Sequence, residues 1–138
     1  MKRLQHVQNS AARVIYLSRK FDHVTRLLID LHWFPIEQRI SFKILLITFK
    51  ILHDKTPEYL NDLIIRYNPP RALRSSSKSL LHKPCFNLKS YGGRSFTMAA
   101  STLWNDLHAY DIKVCNSLAT FKTELKTMLF KQCFSNYF

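Results

Sequence analysis

The chain has 138 residues, 46% of them apolar, with 21 Lys+Arg against 9 Asp+Glu and a formal net charge of +12. Such a length suits one domain that buries roughly 68% of its unfolded surface, and the apolar fraction excludes wholesale disorder. The cationic excess favours polyanion partners, nucleic acid first and an acidic membrane surface second.

Only two glycines and five prolines are present, which favours long helices over a many-stranded sheet. The cysteines are Cys85, Cys115 and Cys133. Their odd number and wide spacing form neither a disulfide framework nor a zinc ligand set, and fit a reducing compartment. The start is basic but has no sustained apolar stretch of the secretory kind. The strongest apolar runs, such as Ile44 to Ile47, fall far short of the ~20 residues that span a bilayer. An intracellular protein, nuclear or cytoplasmic, is expected, neither secreted nor transmembrane.

In chain order, Leu4, Val7, Ala11 and Val14 recur at three- and four-residue steps, and Ile15 widens the stripe. This predicts an amphipathic helix over 3–17 with Arg3, Gln5, Gln8, Asn9 and Arg13 on its other face. The stripe requires a partner surface. It begins almost at the first residue, as in a piece cut from a longer chain. Thr25 is a candidate cap for a helix to about Leu31. In Leu31 to Arg39, LHWFPIEQR, Pro35 should end one helix by Phe34 and start another, with Trp33 and Phe34 packing the corner.

The helix over 35–53 is the most apolar, with a ridge of Ile36, Ile40, Ile44, Ile47 and Ile51, and should be central. Thr56-Pro57-Glu58 starts another, expected to reach Arg66 or Tyr67. Residues 71–91 lose helical periodicity. Leu80 to Lys83 and Phe86 to Tyr91 are candidate strands of a small hairpin. Gly92-Gly93 predicts a turn. Phe96, Ala99, Ala100, Leu103, Trp104 and Leu107 then form one helical face, and Ser117 should cap a last helix bearing Leu118, Phe121, Leu125 and Leu129.

The expectation is a mainly α single domain over 1–138: a compact bundle of about five to six helices. A hairpin or irregular insertion near 71–91 separates helical parts 3–67 and 94–134, within a loop region at 68–93.

The charge is uneven. From Leu63 to Asn105 there is no Asp or Glu, while Arg66, Arg71, Arg74, Lys78, Lys83, Lys89 and Arg94 all fall in that window. Uncompensated cations on a loop-rich segment suit a phosphate backbone, and Phe86 and Tyr91 between them suit base stacking. The plainer reading makes each aromatic a core residue. Arg71, Arg74, Lys78, Lys83, Lys89 and Arg94 are the candidate nucleic-acid-binding residues.

No catalytic constellation is legible. His6, His23, His32, His53, His82 and His108 are scattered, and Asp22-His23 has no nucleophile nearby. No phosphate-binding glycine loop, HExxH or CxxC motif occurs, and the nine acids are not clustered. Neither a metal nor another cofactor is expected.

Several strings, in order, resemble the C-terminal part of reverse transcriptases of LINE-type (non-LTR, Jockey-like) retrotransposons. They are Leu4-Gln5 with Val7 to Arg13, Phe21 to Thr25, Leu31 to Pro35, Arg39-Ile40 with Phe42 to Leu45, and Pro57 to Leu60. Leu73 to Ser76, Tyr91 to Phe96, Leu103 to Asn105 and the helix from Phe121-Lys122 to Phe130 continue the series. The likeness covers about residues 3–134. It implies the thumb-side tail of an RNA-directed DNA polymerase, gripping template or target beside a palm that this chain lacks. The family's aromatic-x-Asp-Asp motif is absent here. Where the family often has proline, Arg26, Ser101 and His108 stand, which implies a diverged copy.

The expected function is therefore non-catalytic: a nucleic-acid-contacting appendage of a retrotransposon polymerase, an orphan fragment whose parent partner is the reverse transcriptase palm. The alternatives are a helical module that docks on a protein through helices 3–17 and 117–134, or a nonfunctional relic.

Overall fold

The computed structural model describes residues 1–69, 71, 79–86, 92–107 and 110–137. They are mainly helical. The α-helices are α1 (Lys2–Ile15), α2 (Val24–Asp30), α3 (Ile36–Leu52), α4 (Glu58–Asn61), α5 (Phe96–Asn105), α6 (Tyr110–Val114) and α7 (Leu118–Cys133). Short 3-10 turns lie at Gly92–Arg94 and Ser135–Tyr137. The chain divides into two compact units, Met1–Phe42 with Lys126–Phe138, and Lys43–Leu125.

In the first unit, Ala12, Leu28 and Phe134 form the buried cluster, with Val24, Leu27, Trp33, Phe130 and Cys133 among the residues packed on it. Helix α1 enters that unit by an unexpected face. Its buried residues are Gln8 and Ala12, whereas Leu4, Val7, Val14 and Ile15 are 58%, 67%, 73% and 54% exposed. Ala11 is exposed too. The stripe that periodicity marked for a core thus faces outward.

The reason lies at the corner. Gln8 Nε2 donates to the Phe34 carbonyl at 2.7 Å, and the Ile36 N–H donates to Gln5 Oε1 at 2.9 Å. Backbone polar groups at a buried corner must be met, and the first N–H groups of a helix have no intrahelical acceptor. The amide face of α1 satisfies both groups, and an apolar face cannot.

The corner otherwise follows the expectation. Phe34 is 6% exposed and Trp33 is half-buried. The Pro35 carbonyl accepts from the Arg39 N–H, opening α3. Helix α2 starts at Val24 after His23, and no side chain caps it, so Thr25 lies inside its first turn. The Asp22 carboxylate instead accepts the Arg19 N–H at 2.6 Å.

Three helices stop in one manner. His32 donates its N–H to the Ile29 carbonyl and Trp33 to that of Leu28. The same pair of bonds joins Leu17 to Val14 and Ser18 to Arg13, and Asp54 to Ile51 and Lys55 to Lys50. Each is a Schellman stop with a left-handed residue after the cap: Leu17 at φ 50°, His32 at 53° and Asp54 at 52°. Glycine, the usual occupant, stands at none of them.

In the second unit, Leu45, Thr48, Phe49 and Ile51 are buried, while Ile44 and Ile47 of the anticipated ridge are half-buried. Phe49 stacks on Phe121 at 4.1 Å, and Trp104 lies 6.2 Å from Phe121. Trp104, Phe121 and Leu125 are essentially inaccessible. Ser95 caps α5, its hydroxyl accepting from the Met98 N–H. Helix α4 stops at Asn61, well before Arg66. The Leu63 and Ile64 N–H groups fold back to Leu60 and Asn61, Ile64 is buried, and residues 65–67 are released to pair elsewhere. Helix α6, with Ile112 buried, had no counterpart in the periodicity.

Candidate nucleic-acid interface

The acid-free window is organised around Leu81. Arg66 and Leu81 form an antiparallel bridge, with the Tyr67 N–H donating to Leu80 at 2.9 Å and the His82 N–H to Ile65 at 2.8 Å. In this pairing the N–H and C=O of Leu81 point to the opposite edge. Asn105 takes both there: its Oδ1 accepts the Leu81 N–H at 2.9 Å and its Nδ2 donates to the Leu81 carbonyl at 2.8 Å. Trp104 Nε1 donates to Ser79 at 2.9 Å. One asparagine therefore stands in for a neighbouring strand.

The pairing partner observed for the first strand of the anticipated hairpin is the segment 65–67. Leu80 to His82 pairs backward with 65–67, and Asn105 occupies the remaining edge at Leu81. Residues 87–91 lie outside the described residues. Phe86 is half-buried, and a Cβ added at Gly92 would lie 2.4 Å from its Cγ. Its ring therefore packs on the turn, and Gly92 is required by that close approach.

A shallow groove of about 350 Å³ runs beside the bridge, lined by Tyr67, Leu80, Leu81, His82, Lys83 and Asn105. Tyr67 is 41% exposed, and His82 and Lys83 are exposed. No lining residue is acidic. The groove offers an accessible phenol ring, an imidazole and an ammonium, a set able to take a base and a phosphate.

Of the six candidate residues, Arg71, Lys83 and Arg94 are exposed. Of these three, Lys83 lines the groove. Arg74, Lys78 and Lys89 lie outside the described residues. Arg66 is engaged within the fold, where its guanidinium donates to the Leu52 carbonyl at 2.8 Å and closes the C-terminus of α3.

A second groove was not legible in the sequence. It measures about 660 Å³, has mostly apolar walls, and is lined by His32, Lys126, Thr127, Phe130, Lys131 and Ser135 of the first unit. The His32 ring stacks on Phe130 at 5.7 Å with 18° between planes. Lys126 and Lys131 flank Phe130 in sequence, which signals a basic edge on α7. Nothing in the sequence links that edge to His32.

Among the described residues, no group of three His, Cys, Asp or Glu is placed to hold a metal ion. His53 is used structurally, stacking on Phe49 at 4.0 Å. Cys85 is exposed, the Cys115 thiol donates to Glu124 Oε2 at 3.4 Å, and burial pushes the Cys133 thiol above its ordinary value. No described helix is long and apolar enough to cross a membrane. No protein-family model, curated protein or solved structure matches the chain.

Proposed function

We propose that this chain is a non-catalytic, nucleic-acid-contacting segment of a LINE-type RNA-directed DNA polymerase, working beside a palm carried elsewhere. The ordered resemblance of its strings supports the lineage. The observation that carries the contact itself is the groove at Tyr67, His82 and Lys83, set in a window without one acid. Arg71 and Arg94 are exposed cations of the same window, and Arg74, Lys78 and Lys89 are assigned to the contact by sequence. Backbone phosphates are the primary ligand, and base stacking on Tyr67 is secondary.

Binding of single-stranded RNA and DNA oligomers over a salt series tests this reading. If about four window cations meet phosphates, log K against log salt has a slope of roughly −3 to −4. Lys83→Glu flattens that slope by about one contact, roughly 0.7 to 0.9. Tyr67→Ala weakens binding by about 1–3 kcal/mol at every salt concentration. A flat salt dependence removes the proposal.

A further inference from the structure

The groove at His32 and Phe130 takes no part in the proposed nucleic-acid contact. We infer that it is a binding site for a small amphipathic anion: a compact apolar body, aromatic or aliphatic, with one anionic head. His32, Lys126, Thr127, Phe130, Lys131 and Ser135 all belong to the first unit, so the site is built within one body. Its volume of about 660 Å³ lies within the roughly 300–1,000 Å³ in which small molecules bind. At 3.6 residues per turn, Lys126 and Phe130 stand one turn apart on α7, and Thr127 and Lys131 repeat that step beside them. Phe130 and Thr127 therefore form a strip with one lysine on each flank.

The aromatic wall is formed in advance. Phe130 packs on the Ala12–Leu28–Phe134 cluster and meets the Phe134 ring edge-on at 4.8 Å. The His32 ring stacks on Phe130 at 5.7 Å, and its Nδ1 lies 3.3 Å from the Asp30 carbonyl. A ligand placed there spends little on ordering these rings. The lining selects the chemistry. Mostly apolar walls favour an apolar body over a nucleobase, whose edge donors and acceptors would lose their water partners. None of the six lining residues is acidic, and Lys126 and Lys131 are exposed at the rim, so the head is an anion. Lys131 lies in the last turn of α7, where the helix carbonyls carry negative partial charge. Lys126, more than a turn farther from that end, is the partner of the head. The inference does not rest on nucleic-acid binding.

The test titrates the full chain by calorimetry with 2-naphthoate, decanoate and the uncharged 2-naphthylmethanol. Saturable binding of either acid, with amide shifts centred on His32 and residues 126–131, supports the site, and the tighter acid identifies the body as aromatic or aliphatic. Lys126→Gln with Lys131→Gln, both at exposed positions, should weaken that acid about fivefold or more, with Lys126→Gln giving most of the loss. His32→Asn removes the ring while asparagine tolerates the left-handed φ of 53°, and should weaken naphthoate about threefold or more. Equal binding of naphthoate and the alcohol overturns the inference, as does unchanged affinity in the lysine variant. Failure of both acids to bind below about 1 mM overturns it too. Displacement of the acid by a single-stranded oligonucleotide would assign the groove to nucleic acid instead, and likewise overturns it.

Discussion

Gln8 donates its side-chain amide to the Phe34 carbonyl at 2.7 Å and is 7% exposed, while Val7, its neighbour in sequence, is 67% exposed. The inversion of α1 rests on that bond. Gln8→Ala leaves the Phe34 carbonyl unmet and should cost about 1–3 kcal/mol. Val7→Ala should stay within about 0.5 kcal/mol. Thermal unfolding of the two variants compares them directly, and a larger loss at Val7 would contradict the orientation of α1.

Leu17 sits at φ 50° and is 92% exposed, so its side chain contributes strain with almost no packing. Leu17→Gly relieves a left-handed cost of roughly 1–2 kcal/mol, partly offset by the greater freedom of unfolded glycine. The expected net gain is about 0.5–1 kcal/mol, read as a rise in the midpoint of denaturant unfolding.

Asn105 meets both backbone groups of Leu81, which is 3% exposed. Asn105→Ala should therefore cost about 1–3 kcal/mol and release the segment that carries Lys83. Amide hydrogen exchange shows this as lost protection at Leu81, with α1 and α2 unchanged. Slow exchange at Leu81 in the variant would mean that another group satisfies it.

Burial raises the Cys133 thiol above its ordinary value of 9.0. The folded state thus holds this proton more tightly than the unfolded chain. The resulting stability is present below 9.0 and is lost as the pH rises through the folded value. Cys133→Ser should make the fall in unfolding midpoint between about pH 8 and pH 10 shallower. In the unaltered protein, iodoacetamide should modify exposed Cys85 before half-buried Cys133.

Much of the helical framework is legible in the residues alone. Pro35 marks the corner, the Phe96–Ala100–Trp104 spacing the buried side of α5, and the Phe121–Leu125–Leu129 spacing the buried face of α7. The candidate site is legible only as a stretch of chain. Seven cations without an acid mark a region, but which of them share a groove depends on pairing across the chain. Tyr67 and His82 were missed because the expected α4 ran too far. Ending it at Asn61 is what frees 65–67 to meet Leu80 to His82.

The sequence by itself determined helix period and charge distribution, since these depend on neighbours within a few residues. It determined that α1 has an apolar stripe, but not which face of α1 is buried. Tertiary structure decided that, because the Phe34 carbonyl and the Ile36 N–H at the corner required amide partners and drew in Gln8 and Gln5. It likewise decided the environment of Leu81, whose two edges are filled by residues far from it in the chain. Periodicity reports the amphipathicity of one segment, whereas hydrogen-bond satisfaction at a buried corner depends on which segments meet there.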